Sequence, residues 1–159
     1  SDLFHEDIPD DVILRLFEVM NRASSHTFQV LTKRSNRLLE LSEKINWTKN
    51  IWMGVSVEDQ KVLYRCEDLK NTEAYVKFIS AEPLLGPLST LDLRGIDWLI
   101  VGGESGAKSR HIDKDWVIEL KQLAAETQTA FFFKQWGGFN KRKNGKTLDG
   151  EIIQQYPQK

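Results

Sequence analysis

Apolar and polar positions alternate along this chain in two rhythms. Val12, Ile13, Leu16, Phe17 and Met20 recur at helical spacing and predict a helix over residues 9–22. Pro9 falls in its first turn, where a missing N–H costs nothing, and Asp10 and Asp11 suit the positive end of the helix dipole. Next comes a short β-rich run, residues 28–32, read as a strand. Ser35 is the expected N-cap of a helix carrying Leu38, Leu39, Leu41 and Ile45. Residues 51–57 form the second predicted strand. Ser56 and Asp59 then have the spacing of a capping box, before a helix with Val62, Leu63, Cys66 and Leu69 on one face. Residues 76–80 make a third strand, and residues 84–93, with Gly86 and Pro87, an irregular crossover or short helix. Residues 98–101 are the fourth strand. Asp113 is placed to cap a helix bearing Trp116, Val117, Leu120, Leu123 and Ala124, and residues 130–133 are the fifth strand.

Strand starts near residues 28, 51, 76, 98 and 130 leave room for crossovers, so the strands are expected to be parallel. Their near-continuous apolar character fits strands buried on both faces, and the crossovers are expected to be right-handed. A complete eight-unit barrel takes about 31 residues per unit, so 159 residues hold about five units. The expected fold is α/β in a single domain spanning residues 1–159, either a small open α/β domain or an incomplete β/α barrel, most of a larger one. From about Phe139 the chain changes character. Lys141, Arg142, Lys143 and Lys146 surround Asn144-Gly145, which reads as a basic β-turn and a candidate hairpin tip.

Composition narrows the function classes. The formal net charge is −1, and 40% apolar with 28% charged residues is a globular balance. No apolar run reaches the roughly 18 residues of a membrane span. Six acids and one Arg in residues 1–18 are wrong for a signal peptide, so a cytoplasmic location is expected. The single Cys66 excludes an internal disulfide and any multi-cysteine metal site built from this chain alone. On an apolar helix face it is expected to be buried and inert.

Ligands of parallel α/β folds sit at the carboxyl ends of the strands. Here those ends carry Lys33 and Arg34; Ser56 and Glu58; Glu82; Gly102, Gly103, Glu104 and Ser105; and Lys134, Gln135 and Trp136. Together they suit a polar small molecule. Gly102 and Gly103 suit close backbone approach to a ligand, or simply a tight turn. Glu82 and Glu104 suit a ligand amine or ribose, or pairing with Lys33, Arg34 or Lys134. Trp136 suits stacking on a ring, or plugging the end of the core. The three histidines have no metal-ligand spacing, and Asp2, His5 and Glu6 read as a polar site or a solvated helix start.

Six segments carry a resemblance: residues 1–9, 27–34, 51–58, 82–88, 98–106 and 131–138, among them Trp98-Leu-Ile-Val-Gly-Gly-Glu-Ser-Gly and Phe131-Phe-Phe-Lys-Gln-Trp-Gly-Gly. This set resembles a phage- and prophage-associated protein family of uncharacterised function, grouped with radical S-adenosylmethionine (SAM) proteins. The resemblance implies a TIM-like barrel of which this chain supplies strands four to eight. It implies a SAM pocket at the strand ends. Gly102, Gly103 and Glu104 would face SAM, Lys33 or Arg34 would meet its carboxylate, and Ser56, Glu58 and Glu82 its ribose or amine. It implies a [4Fe–4S] cluster held by an amino-terminal cysteine motif that this chain lacks, so this polypeptide alone is expected to do no radical chemistry. The intact protein would cleave SAM to a 5′-deoxyadenosyl radical. The expected partner is that amino-terminal segment, or a second copy meeting exposed strand edges. The rival expectations are a non-enzymatic phage accessory module and, ranked last, a nucleic-acid binder using Lys141, Arg142, Lys143 and Trp136.

Overall fold

The computed structural model describes residues 2–158, the side chains of Lys141 and Arg142 excepted. Helix α1 spans Asp10–Arg22, strand β1 Phe28–Thr32, α2 Ser35–Ser42 and β2 Ile51–Ser56. A 3₁₀ turn, Gln60–Val62, leads into α3, Tyr64–Lys70. Then follow β3 Val76–Ala81, β4 Trp98–Gly102, α4 Lys114–Glu126, β5 Ala130–Gln135 and the short α5, Lys141–Asn144. All five predicted strands are present, and each pairs in parallel with the next, in the order β1-β2-β3-β4-β5.

Sequential order decides the architecture. Ile13 and Phe17 of α1, Leu38 and Leu41 of α2, Cys66 and Leu69 of α3, and Val117 and Leu120 of α4 share one core. That core also contains Met53, Val55, Ile79, Leu99, Val101 and Phe133, which occupy matching positions on adjacent strands. The crossover between β3 and β4 joins the same core through Leu84, Leu88, Leu91 and Leu93. Every connection therefore crosses the same face of the sheet, as in a β/α barrel. A doubly wound sheet reverses its strand order and covers both faces. The sheet is an open, five-stranded α/β sheet consistent with part of a barrel.

Several local readings change. Pro9 is the N-cap of α1, not its first helical residue. Ser35 is the first residue of α2 and does not cap it; its hydroxyl donates to Asp68 of α3 at 2.6 Å, tying two helices together. The expected capping box does not form. Ser56 is buried at the end of β2, and Asp59 caps the 3₁₀ turn, accepting from the Lys61 N–H at 2.8 Å. Residues 84–93 are irregular. Asp113 caps α4 as expected, through the Asp115 N–H.

The tail differs most. Asn144-Gly145 is not a hairpin tip, because Lys141–Asn144 turns as a helix. The tight reversal lies further on. Asp149 and Gly150 both have positive φ, and Leu148 and Glu151 exchange two backbone hydrogen bonds around them. Asp-Gly is the pair a two-residue hairpin turn favours. Beyond it the chain returns antiparallel along β5. The Phe133 N–H donates to Ile153 O at 2.8 Å, the Gln155 N–H donates to Phe131 O at 3.0 Å, and Phe132 bridges Gln154. The tail thereby pairs with the outer edge of β5, and among the described residues β1 has a sheet partner on one side only.

Candidate functional site

The uncovered face of the sheet is built from the other parity of strand residues. Its floor is aromatic. Trp98 sits at the centre, its ring 5.7 Å from Phe78, 5.8 Å from Trp52, 5.7 Å from Phe132 and 5.3 Å from Tyr156. The Trp98 indole N–H donates to Gln155 O at 2.8 Å, so the tail fixes the central ring. Gly54 permits this packing, because a Cβ there would lie 2.3 Å from the Phe78 ring.

Above the floor, at the carboxyl ends, the face becomes polar. Ser56 and Ser80 are register partners on β2 and β3. Glu82 follows β3, and Lys134 reaches it from β5 with Nζ 3.0 Å from Oε2. Alternation puts Lys134 on the same face as Phe132, and Glu82 on the same face as Ser80. Val101 pairs with Phe133 but Gly102 pairs with Gln135, so Lys134 is the extra residue of a β-bulge at this strand end. Gly102 lies beside this carboxylate, and a Cβ there would make ordinary contact with the Glu82 side chain at 3.4 Å. A cleft of about 400 Å3 opens here, lined by Leu31, Phe78, Ser80, Glu82, Phe132 and Lys134 among others.

The remaining predicted residues gather into two other groups. On the β1 and β2 side, Glu58 is clamped between Lys33 and Arg65, with Arg65 Nη1 at 2.9 Å from Oε2. Arg65 also donates to Ser56 O at 2.9 Å. Arg34 turns away to Asp2, at 3.0 Å. The Asp2 carboxylate further accepts from the Thr32 hydroxyl and the Lys33 and Phe4 N–H groups. Burial pushes this carboxyl up, but those hydrogen bonds outweigh it and hold the group below its ordinary value. His5 is not part of that set; its Nδ1 accepts from the Asp7 N–H.

On the β4 and β5 side, two loops are locked edge to edge. The Gly103 N–H donates to Gln135 O at 2.9 Å, the Gly138 N–H to Glu104 O at 2.7 Å, and the Gly106 N–H to Gly138 O at 3.1 Å. The Gln135 amide donates to the Ser105 hydroxyl at 2.8 Å. A Cβ on Gly103 would lie 2.0 Å from Trp136 O, and one on Gly137 would lie 2.2 Å from Glu104 O. The Gly103 N–H is therefore spent on the partner loop, and this glycine serves backbone packing. Glu104 accepts three hydrogen bonds from Arg110, which hold its carboxyl down at about 2. Trp136 packs edge-on against Phe133 at 4.7 Å and donates its indole N–H to Thr147 O.

The structure thus brings Glu82 and Lys134 together in one cleft, with the buried Ser56 beside Ser80 and Gly102 beside Glu82 behind its lining. It places Lys33, Glu58 and Arg34 to one side, and Gly103, Glu104, Ser105, Gln135 and Trp136 in a loop pair on the other. Ser80, Arg65 and Arg110 belong to these clusters but escaped the sequence reading. Ser80 had a signal, as it lies two residues before Glu82 on the same strand face. Arg65 and Arg110 lie beyond the strand ends and had none.

This arrangement defines an α/β protein with an open parallel sheet and a polar cleft at the carboxyl ends of its strands. The chain belongs to the DUF5131 family, described as a protein of unknown function, whose model matches residues 1–157. No curated protein and no solved structure matches it.

Proposed function

We propose that this chain is the ligand-binding, carboxyl-terminal part of a cytoplasmic, phage-associated, radical-SAM-like enzyme, and that its cleft holds SAM. The observation that carries the reading is the Glu82–Lys134 pair over an aromatic floor, on a sheet face no helix covers. Glu82 offers a carboxylate to the ammonium of SAM, and Lys134 offers an ammonium to its carboxylate. The Ser80 hydroxyl on the cleft lining suits its ribose, and the exposed edge of the floor suits its adenine ring. Glu104 plays no part here, because its oxygens are committed to Arg110.

The [4Fe–4S] cluster does not fit this chain's own donors. Cys66 is buried against the helix-covered face, and burial pushes its thiol up to about 12. Among the described residues no group of three His, Cys, Asp or Glu side chains is arranged to hold a metal. The cluster's ligands are assigned to a further segment that pairs with β1. Two features support that place. The Asp2 carboxylate binds Thr32 and Lys33 at the end of β1. On α1, Asn21 faces the loop before β2, bonding Asn46 and Thr48, while Val12, Leu16 and Val19 line the opposite flank, exposed.

Calorimetric titration of SAM into this chain tests the cleft. Binding is expected, and Glu82→Gln or Lys134→Ala should each weaken it about tenfold, the loss of one charge-assisted contact. Absence of binding, or variants equal to wild type, overturns the assignment. Anaerobic expression of the gene with its upstream region tests the enzyme class. Iron–sulfur absorbance and 5′-deoxyadenosine release are expected, and finding neither rejects it.

A further inference from the structure

We propose that the rim built by the loops after β4 and β5 binds single-stranded nucleic acid, with Phe139 as the stacking platform. The proposal does not rest on the ligand reading. Residues 134–146 contain Lys134, Lys141, Arg142, Lys143 and Lys146 and no acid. The whole chain is nearly neutral, so this is a local concentration of positive charge. Lys134 is engaged by Glu82. Among the described residues no carboxylate lies within ion-pair reach of Lys143 or Lys146, and none within reach of Lys108 on the neighbouring loop. Lys146 reaches only the Gln154 amide, at 3.5 Å.

Phe139 is 82% exposed, the most exposed large apolar side chain among the described residues. It stands on backbone that is held on both sides. The Gly138 N–H bonds Glu104 O, the Asn144 amide bonds Gly137 O at 2.8 Å, and the Trp136 N–H bonds Gly145 O at 3.1 Å. An exposed ring on held backbone, in the same loop as unpaired cations, is the arrangement that combines base stacking with backbone attraction. A duplex hides its base faces, so the ring favours a single strand. Trp136, the aromatic first expected to stack, is engaged by Phe133 and Thr147 and leaves that role to Phe139. The rim borders the cleft through Lys134 and Gln135, so a bound strand would lie beside the ligand site.

Fluorescence anisotropy with a labelled mixed-sequence single-stranded 20-mer, as DNA and as RNA, tests this. Binding is expected at low salt. With about four phosphates neutralised, log K should fall against log salt with a slope of roughly −3. Phe139→Ala should weaken binding about tenfold with an unchanged thermal melt, because the ring is exposed. Lys143→Glu with Lys146→Glu should weaken it and flatten the salt slope. A duplex of equal length should bind less well. Absence of binding, indifference to salt, or Phe139→Ala equal to wild type overturns the proposal. So does binding to anionic phosphatidylserine vesicles without binding to the oligonucleotides. Phe139→Ala should titrate with SAM as wild type does, so the two readings fail separately.

Discussion

Asp2 shows how much one side chain can organise. Its carboxylate accepts four hydrogen bonds, from Phe4 N, Thr32 Oγ1, Lys33 N and Arg34 Nη1. Asp2→Asn should destabilise the chain by about 1–2 kcal/mol at neutral pH, through lost charge-assisted bonds. The sign of its pH dependence follows from the lowered folded-state value. The contribution is complete above the ordinary value of 3.8 and is lost as pH falls through the depressed one. Urea melts across pH should therefore show wild type and Asp2→Asn converging in acid. Gly54 is equally specific. Alanine would drive a methyl into the Phe78 ring, and overpacking of this kind costs about 1–3 kcal/mol. Chemical denaturation of Gly54→Ala measures it. Cys66, with its thiol pushed up to about 12, should react with a disulfide reagent at pH 8 only after denaturation. A fast native reaction would contradict its place in the core.

Among the elements, strands were easier to read than their ends. Apolar runs in β2, β3 and β4 announce themselves because one face of those strands packs on helices and the other carries the aromatic floor. Helix starts were less legible. Ser35 and Ser56 have N-cap chemistry, yet each is drawn into another interaction, Ser35 to Asp68 and Ser56 to the buried end of β2. A hydroxyl bonds the nearest well-placed partner, and sequence spacing does not reveal a partner on another helix. The tail departs most from its local pattern. Its basic residues draw attention, but the segment that pairs with β5 follows them, at Ile153 and Gln155. Deleting residues 152–159 should unpair β5 and remove the acceptor of the Trp98 indole N–H. A red-shifted tryptophan emission and a lower melting temperature are the expected outcome.

For the molecule as a whole, closure is the central matter. Five sequential parallel strands with helices on one face are consistent with part of a ring, and among the described residues one edge is left without a sheet partner, at β1. Free edges invite pairing. Among the described residues no helix is long and apolar enough to cross a membrane, so the exposed Val12, Leu16 and Val19 of α1 are not a membrane span. Leu16→Glu should leave the isolated chain's melting temperature nearly unchanged, because the residue is 42% exposed. In the protein carrying the proposed additional segment, the same change should destabilise. Equal melts in both contexts would remove that segment from the α1 flank.

The amino-acid sequence by itself determined the five parallel strands, the helical crossovers and the polar strand ends, because local periodicity and spacing suffice for each. Only the tertiary structure decided which polar residues meet. Parallel pairing brings Lys134 of β5 to Glu82 across β4, glycine contacts lock the loops and consume the Gly103 N–H, and Arg110 takes Glu104. Charges at neighbouring strand ends look alike in one dimension. Their partners depend on strand order and on which atom arrives within about 3 Å, and both are set by the packing of distant segments.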